Sequence, residues 1–324
     1  MQIQRILLSL AVIVALGGGV VASTGAFFND TETSTGNVFT AGAIDLTVDS
    51  TQHYNNAICA LNELTLDDLT DYSWHLEAGG VLTNPQYPVI GDPCDGTWLA
   101  TNLGAEKFFN FNDVKPGDSG ENTLSLHVTS NAAWACADVH ITKNDDVDCT
   151  DPENDAEGPG VCNNSSPSAD FDGDLAQGLN FFAWLDQGVL AGFQNTPQTP
   201  AADPLEGDNI YQGDLTEPHL FSNVFGPASD ALNDKHYTLA APPGLPLPAG
   251  GNTNYIGLAW CAGTMTVNTV TGAIGCNGAG MDNKAQTDQL MANIAFRVEQ
   301  ARNNPNFSCN PPLITPTPTP TLPT

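Results

Sequence analysis

Apolar and polar residues alternate along much of this chain, and the period is that of a strand. Ile44, Leu46 and Val48 are interleaved with Asp45, Thr47 and Asp49, the pattern of a half-buried strand. The same period of two returns at Leu124, Leu126 and Val128, at Ala137, Val139 and Ile141, and at Ile294, Phe296 and Val298. Phe181–Leu185 and Tyr255–Trp260 are short continuous apolar runs, which predicts strands covered on both faces. Helical spacing is scarce. It allows one short helix over Leu61–Leu69, with Thr65 as its cap, and one turn around Asp288–Met291.

The predicted strands are punctuated by 31 glycines and 23 prolines in 324 residues. This composition predicts an all-β fold, a jelly-roll-like antiparallel β-sandwich over residues 27–310 with few short helices. Three stretches, about 61–96, 143–173 and 193–250, are long insertions between strands. Loops of that length are expected to be functional or pinned by disulfides. Residues 311–324 alternate Pro and Thr, which favours extended polyproline II and builds no core, so they read as a tail or linker.

The one long apolar run departs from the alternation. Met1–Arg5 carries a positive charge and no acid, and Ile6–Val21 is apolar apart from Ser9 and Gly17–Gly19. At about 16 residues the run is shorter than the roughly 20 that span hydrocarbon, so a cleaved signal over residues 1–26 is expected rather than a retained anchor. Small residues place the cut between Ala26 and Phe27, or between Ser23 and Thr24. The mature protein is then expected to be secreted, with no membrane association after cleavage.

The formal net charge of −29 excludes nucleic acid as a partner, because phosphates need clustered Lys and Arg and the chain has eight of the two together. All eight cysteines, Cys59, Cys94, Cys136, Cys149, Cys162, Cys261, Cys276 and Cys309, follow the signal. In an exported chain an even number predicts disulfides, and no C-x-x-C pair or histidine at ligand spacing favours zinc. Cys149–Cys162, which brackets an acidic loop, is the local pair expected first, followed by Cys59–Cys94 and Cys276–Cys309.

Hard oxygen ligands concentrate in Lys143–Glu157 and in Asp170-Phe-Asp-Gly-Asp174. Asp170, Asp172 and Asp174 place three carboxylates on one tight loop, as calcium requires, although no glutamate stands at the twelfth position of an EF-hand count. The competing reading is a solvated acidic loop. Recognisable catalytic motifs are missing: no H-E-x-x-H, no G-x-S-x-G and no phosphate-cradling glycine loop occurs. His75-Leu-Glu77 matches half of a zinc deaminase signature without its P-C-x-x-C, and His127 and His140 flank one predicted hairpin.

Gly25-Ala-Phe-Phe-Asn-Asp-Thr-Glu-Thr-Ser34 and the following Thr35–Leu46 resemble the N-terminal signature of the TasA/camelysin family, whose exported members carry signals cut by a SipW-type peptidase. Phe109-Asn-Phe-Asn-Asp-Val-Lys-Pro-Gly-Asp118 resembles that family's Pro-Gly-Asp turn between core strands. The resemblance implies a jelly-roll domain that forms extracellular fibres of the biofilm matrix, each subunit's N-terminal segment completing its neighbour's sheet. It implies cleavage after Ala26 and makes Phe27, Phe28, Val38 and Phe39 the apolar residues of the assembly strand. The expected partners are copies of this chain or other matrix proteins. A non-catalytic surface adhesin using the long loops is the alternative. Camelysin members classed as metallopeptidases imply a further one, supported by no motif here.

Overall fold

A computed structural model describes residues 29–33, 44–62, 71–77, 80–82, 87–158, 172–190, 192–193, 203–250 and 253–310. In chain order its first strands are Asn29–Thr33 (β1), Leu46–Tyr54 (β2), Ala57–Leu61 (β3), Tyr72–Leu76 (β4), Trp98–Thr101 (β5), Ser119–Val128 (β6) and Ala133–Asp145 (β7). Short helices Asp151–Glu157 (α1) and Leu175–Gly178 (α2) precede Leu179–Leu185 (β8), Phe225–Pro227 (β9), a helical turn Ala228–Ala231 (α3) and Lys235–Ala240 (β10). The chain continues through Thr253–Ala262 (β11), Thr264–Val267 (β12), Ile274–Asn277 (β13) and Gln289–Gln300 (β14).

These strands form an antiparallel β-sandwich. One sheet has the order β1-β14-β7-β10 and the other β4-β3-β2-β6-β11-β8-β9, with β5 pairing β2 at its side. The period-two stretches behave as expected. Along β2 every second residue, Leu46, Val48, Ser50, Gln52 and Tyr54, is buried, and in β14 the inward set includes Ile294, Phe296 and Val298. Strands from both sheets meet in one core that runs from Ile44 to Cys309. A polar seam crosses it: Gln52 Nε2 donates to Phe108 O at 2.8 Å, and Asn122 Nδ2 donates to Phe108 O at 3.1 Å and to Ser50 Oγ at 3.2 Å.

The continuous apolar runs are buried on both faces, as their composition predicts. Beyond the shared core, Phe182 and Trp184 of β8 and Ala259 and Cys261 of β11 form a second cluster with Tyr211 and Met265. The β12–β13 hairpin and the loop carrying Tyr211 cover that outer face. Gly257 matters here, because a Cβ at this position would fall inside the Trp184 indole. Trp184 in turn stacks on Phe182 with centroids 5.2 Å apart.

Two turns fix the register. Asn55 and Asn56 both have positive φ, 48° and 66°, and close the β2–β3 hairpin in the left-handed conformation that asparagine tolerates. The Pro116-Gly117-Asp118 turn leads into β6, with the buried Asp118 accepting hydrogen bonds from Tyr54 Oη at 2.7 Å, Asn55 Nδ2 at 2.9 Å and Lys115 N at 2.8 Å. The turn therefore ties the ends of β2 and β6 to one carboxylate.

Several expectations are corrected. β6 and β7 are not a hairpin: β6 pairs with β2 and β11, whereas the chain crosses to the other sheet before β7 pairs with β14 and β10. His127 and His140 consequently lie in different sheets. Residues 289–291 begin β14 instead of a helical turn, because the alternation seen from Ile294 to Val298 extends back through Leu290 and Ala292. Leu61 ends β3, while residues 63–70 of the expected helix lie outside the described residues. The long stretches 61–96 and 193–250 hold sheet strands as well as loops, β4 in the first and β9 and β10 in the second.

The disulfides are Cys59–Cys94, as expected, with Cys136–Cys309 and Cys261–Cys276. The expected Cys276–Cys309 pair is therefore wrong. Cys276 sits on the β13 hairpin folded against β11, whereas Cys309 returns to β7, its sulfur 3.6 Å from Ala135 O. Cys149 is also disulfide-bonded. Its expected partner Cys162 lies outside the described residues, as do the cut sites at Ser23, Thr24, Ala26 and Phe27, the residues Phe28, Val38 and Phe39, and the Pro/Thr tail.

Candidate functional site

The first place of interest is the open edge of the four-stranded sheet. There β1 pairs antiparallel with β14 in the register Asn29↔Glu299, Thr31↔Arg297 and Thr33↔Ala295. No other strand flanks β1 among the described residues, and the chain between β1 and β2, residues 34–43, lies outside them. β14 presents its main chain to the short polar segment Asn29–Thr33. An edge of this kind accepts any strand of matching register, because the ladder is made by main-chain groups.

The second place is a carboxylate cluster where the acidic segment after β7 meets the start of β14. One carboxylate oxygen from each of Asp146, Glu153 and Asp288 lies within 4.8 Å of the others. Thr150 caps α1 in a capping box: its Oγ1 accepts from Glu153 N at 3.4 Å, and its N–H donates to Glu153 Oε2 at 3.1 Å. Thr287 Oγ1 donates to the same oxygen at 2.9 Å. Glu153 is 0% exposed, and its Oε1 is buried with no hydrogen-bond partner. Asp288 is held in the same way. Its Oδ2 accepts from Leu175 N at 2.7 Å, and its Oδ1 is buried and unpartnered.

Burial pushes the Asp288 carboxyl up to about 7, and the charges of Asp146 and Glu153 add to this. Glu153 is raised for the same first reason, helped by Asp146 and Asp148 and opposed by the bonds from Thr150 and Thr287. Glu157 is raised by burial and then by the hydrogen bond it shares with Asp174. Of the three carboxylates proposed from the Asp-x-Asp-Gly-Asp loop, Asp170 lies outside the described residues, Asp172 Oδ1 accepts from Asp146 N at 3.4 Å, and Asp174 lies against Glu157.

A third acidic centre is wholly enclosed. Asp186 and Glu217 are each 0% exposed and share a hydrogen bond. Asp186 accepts from Asn209 N at 2.9 Å and Gly207 N at 3.2 Å, and Glu217 accepts from Gly188 N at 2.8 Å and from Gln212 N. These bonds hold the loop that covers Trp184. With no access for a substrate, the pair organises a loop.

The histidines do not converge. His127 Nε2 lies 2.7 Å from Asp49, His140 Nδ1 2.5 Å from Asp234, His219 Nδ1 2.7 Å from Asp214 and His236 Nδ1 2.6 Å from Asp138. His53 lies 3.8 Å from Glu77, and His75 Nε2 is 3.0 Å from Ser73 Oγ. A groove of about 380 Å³ beside β2, β3 and β5 is lined by Ile58, Leu61, Tyr72, Trp98 and Leu99, with Asp49 as its one carboxylate.

Asp146 and Glu153 belong to the acidic segment that composition singled out. Asp288 carried no such signal, since it stands alone between Thr287 and a strand. No family model, curated protein or solved structure matches this chain. Among the described residues no helix is long and apolar enough to cross a membrane, and the disulfides suit an oxidising compartment.

Proposed function

We propose that this is a secreted structural protein of the cell surface or biofilm matrix, of the TasA/camelysin kind, that assembles into fibres by N-terminal strand addition. The observation that supports this reading is the position of β1. The segment just after the signal joins the sandwich as an edge strand on β14, far in sequence from its partner. A neighbour's segment offering the same main-chain register replaces it without any change in the sheet. The contact is heterologous, so repetition extends a filament instead of closing a dimer.

This reading assigns the protein a structural part and no catalytic one. What supports it is that His127, His140, His219 and His236 each pair with a different acid and do not converge, and that the carboxylate pair Asp186 and Glu217 is buried. Electron microscopy and light scattering of the mature protein, compared with a variant lacking Phe27–Ser34, test it. Fibres from the first and monomers from the second are expected, and the same state for both contradicts the proposal.

A second reading, a surface adhesin, is favoured by one feature. Asp214 N donates to Thr269 O, bringing two loops together that expose Ile210 (62%), Leu215 (97%) and Val270 (83%). Apolar side chains so open to water suit contact with a partner. If Leu215→Ser abolishes attachment to matrix while fibres still form, the adhesin role stands beside assembly.

A further inference from the structure

We infer that Asp146, Glu153 and Asp288 bind a single divalent cation of the calcium class, which fastens the acidic segment after β7 to the beginning of β14. Two oxygens that each lie about 2.3–2.6 Å from one calcium ion are at most about 5 Å apart. The three carboxylate oxygens fall within 4.8 Å of one another, so one ion fits between them.

The independent observation is the state of the second oxygens. Glu153 uses Oε2 for Thr150 and Thr287 and leaves Oε1 buried without a partner, and Asp288 uses Oδ2 for Leu175 and leaves Oδ1 in the same condition. Each carboxylate is held by one oxygen and keeps the other buried and without a hydrogen bond. A buried unpaired acceptor costs about 1–3 kcal/mol, and more when charged, so the fold gains from a positive ligand there.

No Lys, Arg or His forms an ion pair with Glu153 or Asp288 among the described residues. Lys143, three residues before Asp146, pairs with Asp145 at 3.3 Å instead, and Lys284, four residues before Asp288, forms no ion pair among the described residues. The groups that surround the cluster are themselves acids, Asp148, Asp172, Asp174 and Glu157. Oxygen is the donor at every position, which selects a hard ion and disfavours zinc or copper. Calcium accepts the irregular geometry of three side chains from two segments and fills its remaining positions with water or carbonyl oxygens. Magnesium demands a tighter octahedron.

Calorimetric titration of the mature wild-type protein with calcium chloride tests the site, in salt high enough to screen the surface charge. One saturable ion per chain is expected, with a lower affinity for magnesium. Glu153→Gln and Asp288→Asn are expected to weaken binding at least about tenfold, since the number of charged ligands sets affinity. Asp234→Asn, at an exposed acid just before β10 at the far edge of the same sheet, is expected to leave it unchanged. Because a variant can fail to fold, wild-type melting in calcium and in chelator supplies a second arm. A rise in Tm that grows with calcium concentration supports the site. Absence of saturable binding, an identical Tm in calcium and chelator, or Glu153→Gln binding as tightly as wild type overturns it.

Discussion

The stability of this protein is expected to fall as the solution becomes more alkaline across the neutral range, and Glu217→Gln is expected to flatten that fall. Asp186 and Glu217 are fully buried and joined by a hydrogen bond that requires a proton between them. Burial pushes Glu217 from its ordinary 4.5 up to about 8, and Asp186 up to about 6. In the unfolded chain both ionise in the usual carboxylate range. The native state therefore holds a proton that the unfolded chain has released. The stability this confers is fully present below the unfolded value and is lost as pH rises through the folded one. Each such proton gives a slope of about −1.4 kcal/mol per pH unit.

Glu121, raised by burial to about 7, acts in the same direction. Glu217→Gln removes the titrating group, so its stability curve should be shallower than wild type by up to that slope. The amide loses an acceptor for Gly188 N or Gln212 N, but that cost is constant with pH and moves the curve without tilting it. Urea unfolding followed by tryptophan fluorescence, in chelator at several pH values between about 5 and 8, measures both curves. Wild-type stability that is level or rising with pH, or two parallel curves, refutes the reasoning.

Gly257→Ala drives a methyl group into Trp184, whose ring is held by Phe182 and Tyr211 at 5.2 and 5.7 Å. Overpacking of this kind costs about 1–3 kcal/mol, and thermal melting should show a lower Tm; an unchanged Tm contradicts the packing. Peptide mapping without reduction should recover Cys136–Cys309 and Cys261–Cys276 linked peptides and no Cys276–Cys309 peptide. Replacing both Cys136 and Cys309 by serine opens a loop of sequence separation 173 and is expected to cost about 2–5 kcal/mol in chemical unfolding.

Which strands exist was readable from period two because one face of each is buried and the other is not, as β2 shows from Leu46 to Tyr54. Which sheet each strand joins was not. Val128 and Ala133 sit at the ends of adjacent strands in the chain, yet β6 and β7 belong to opposite layers, and nothing in a local pattern encodes that crossing. The disulfides divide along the same line. Cys59–Cys94 joins neighbouring segments and could be guessed, whereas Cys136–Cys309 depends on the C-terminal segment returning to β7. The Asn55-Asn56 turn carried a usable signal, two residues tolerant of positive φ between strand-forming runs. Of the carboxylate cluster, Asp146 and Glu153 stood out as part of an acidic run, while Asp288 becomes visible only when β14 is placed beside the end of β7.

The proposed fibre and the proposed ion site make separate demands on the same sheet. Assembly needs the outer edge of β14 to be available to a neighbour's N-terminal strand. The ion site secures the beginning of β14 from its other side, where β7 pairs Asp145 with Gln289. A fibre that fails to form in chelator would connect the two, although neither proposal requires it.

Assembly by strand exchange is tested most directly in fibres grown from an equal mixture of unlabelled and nitrogen-15-labelled mature protein. Carboxyl-reactive cross-linking between the β1 acids Asp30 and Glu32 and Glu299 of β14 reports which chain supplies the strand, since Asn29 lies opposite Glu299 in the ladder. Strand addition between subunits predicts cross-linked peptides that combine one labelled and one unlabelled partner. Cross-links confined to peptides of a single isotope would show β1 remaining on its own β14, and would contradict the account.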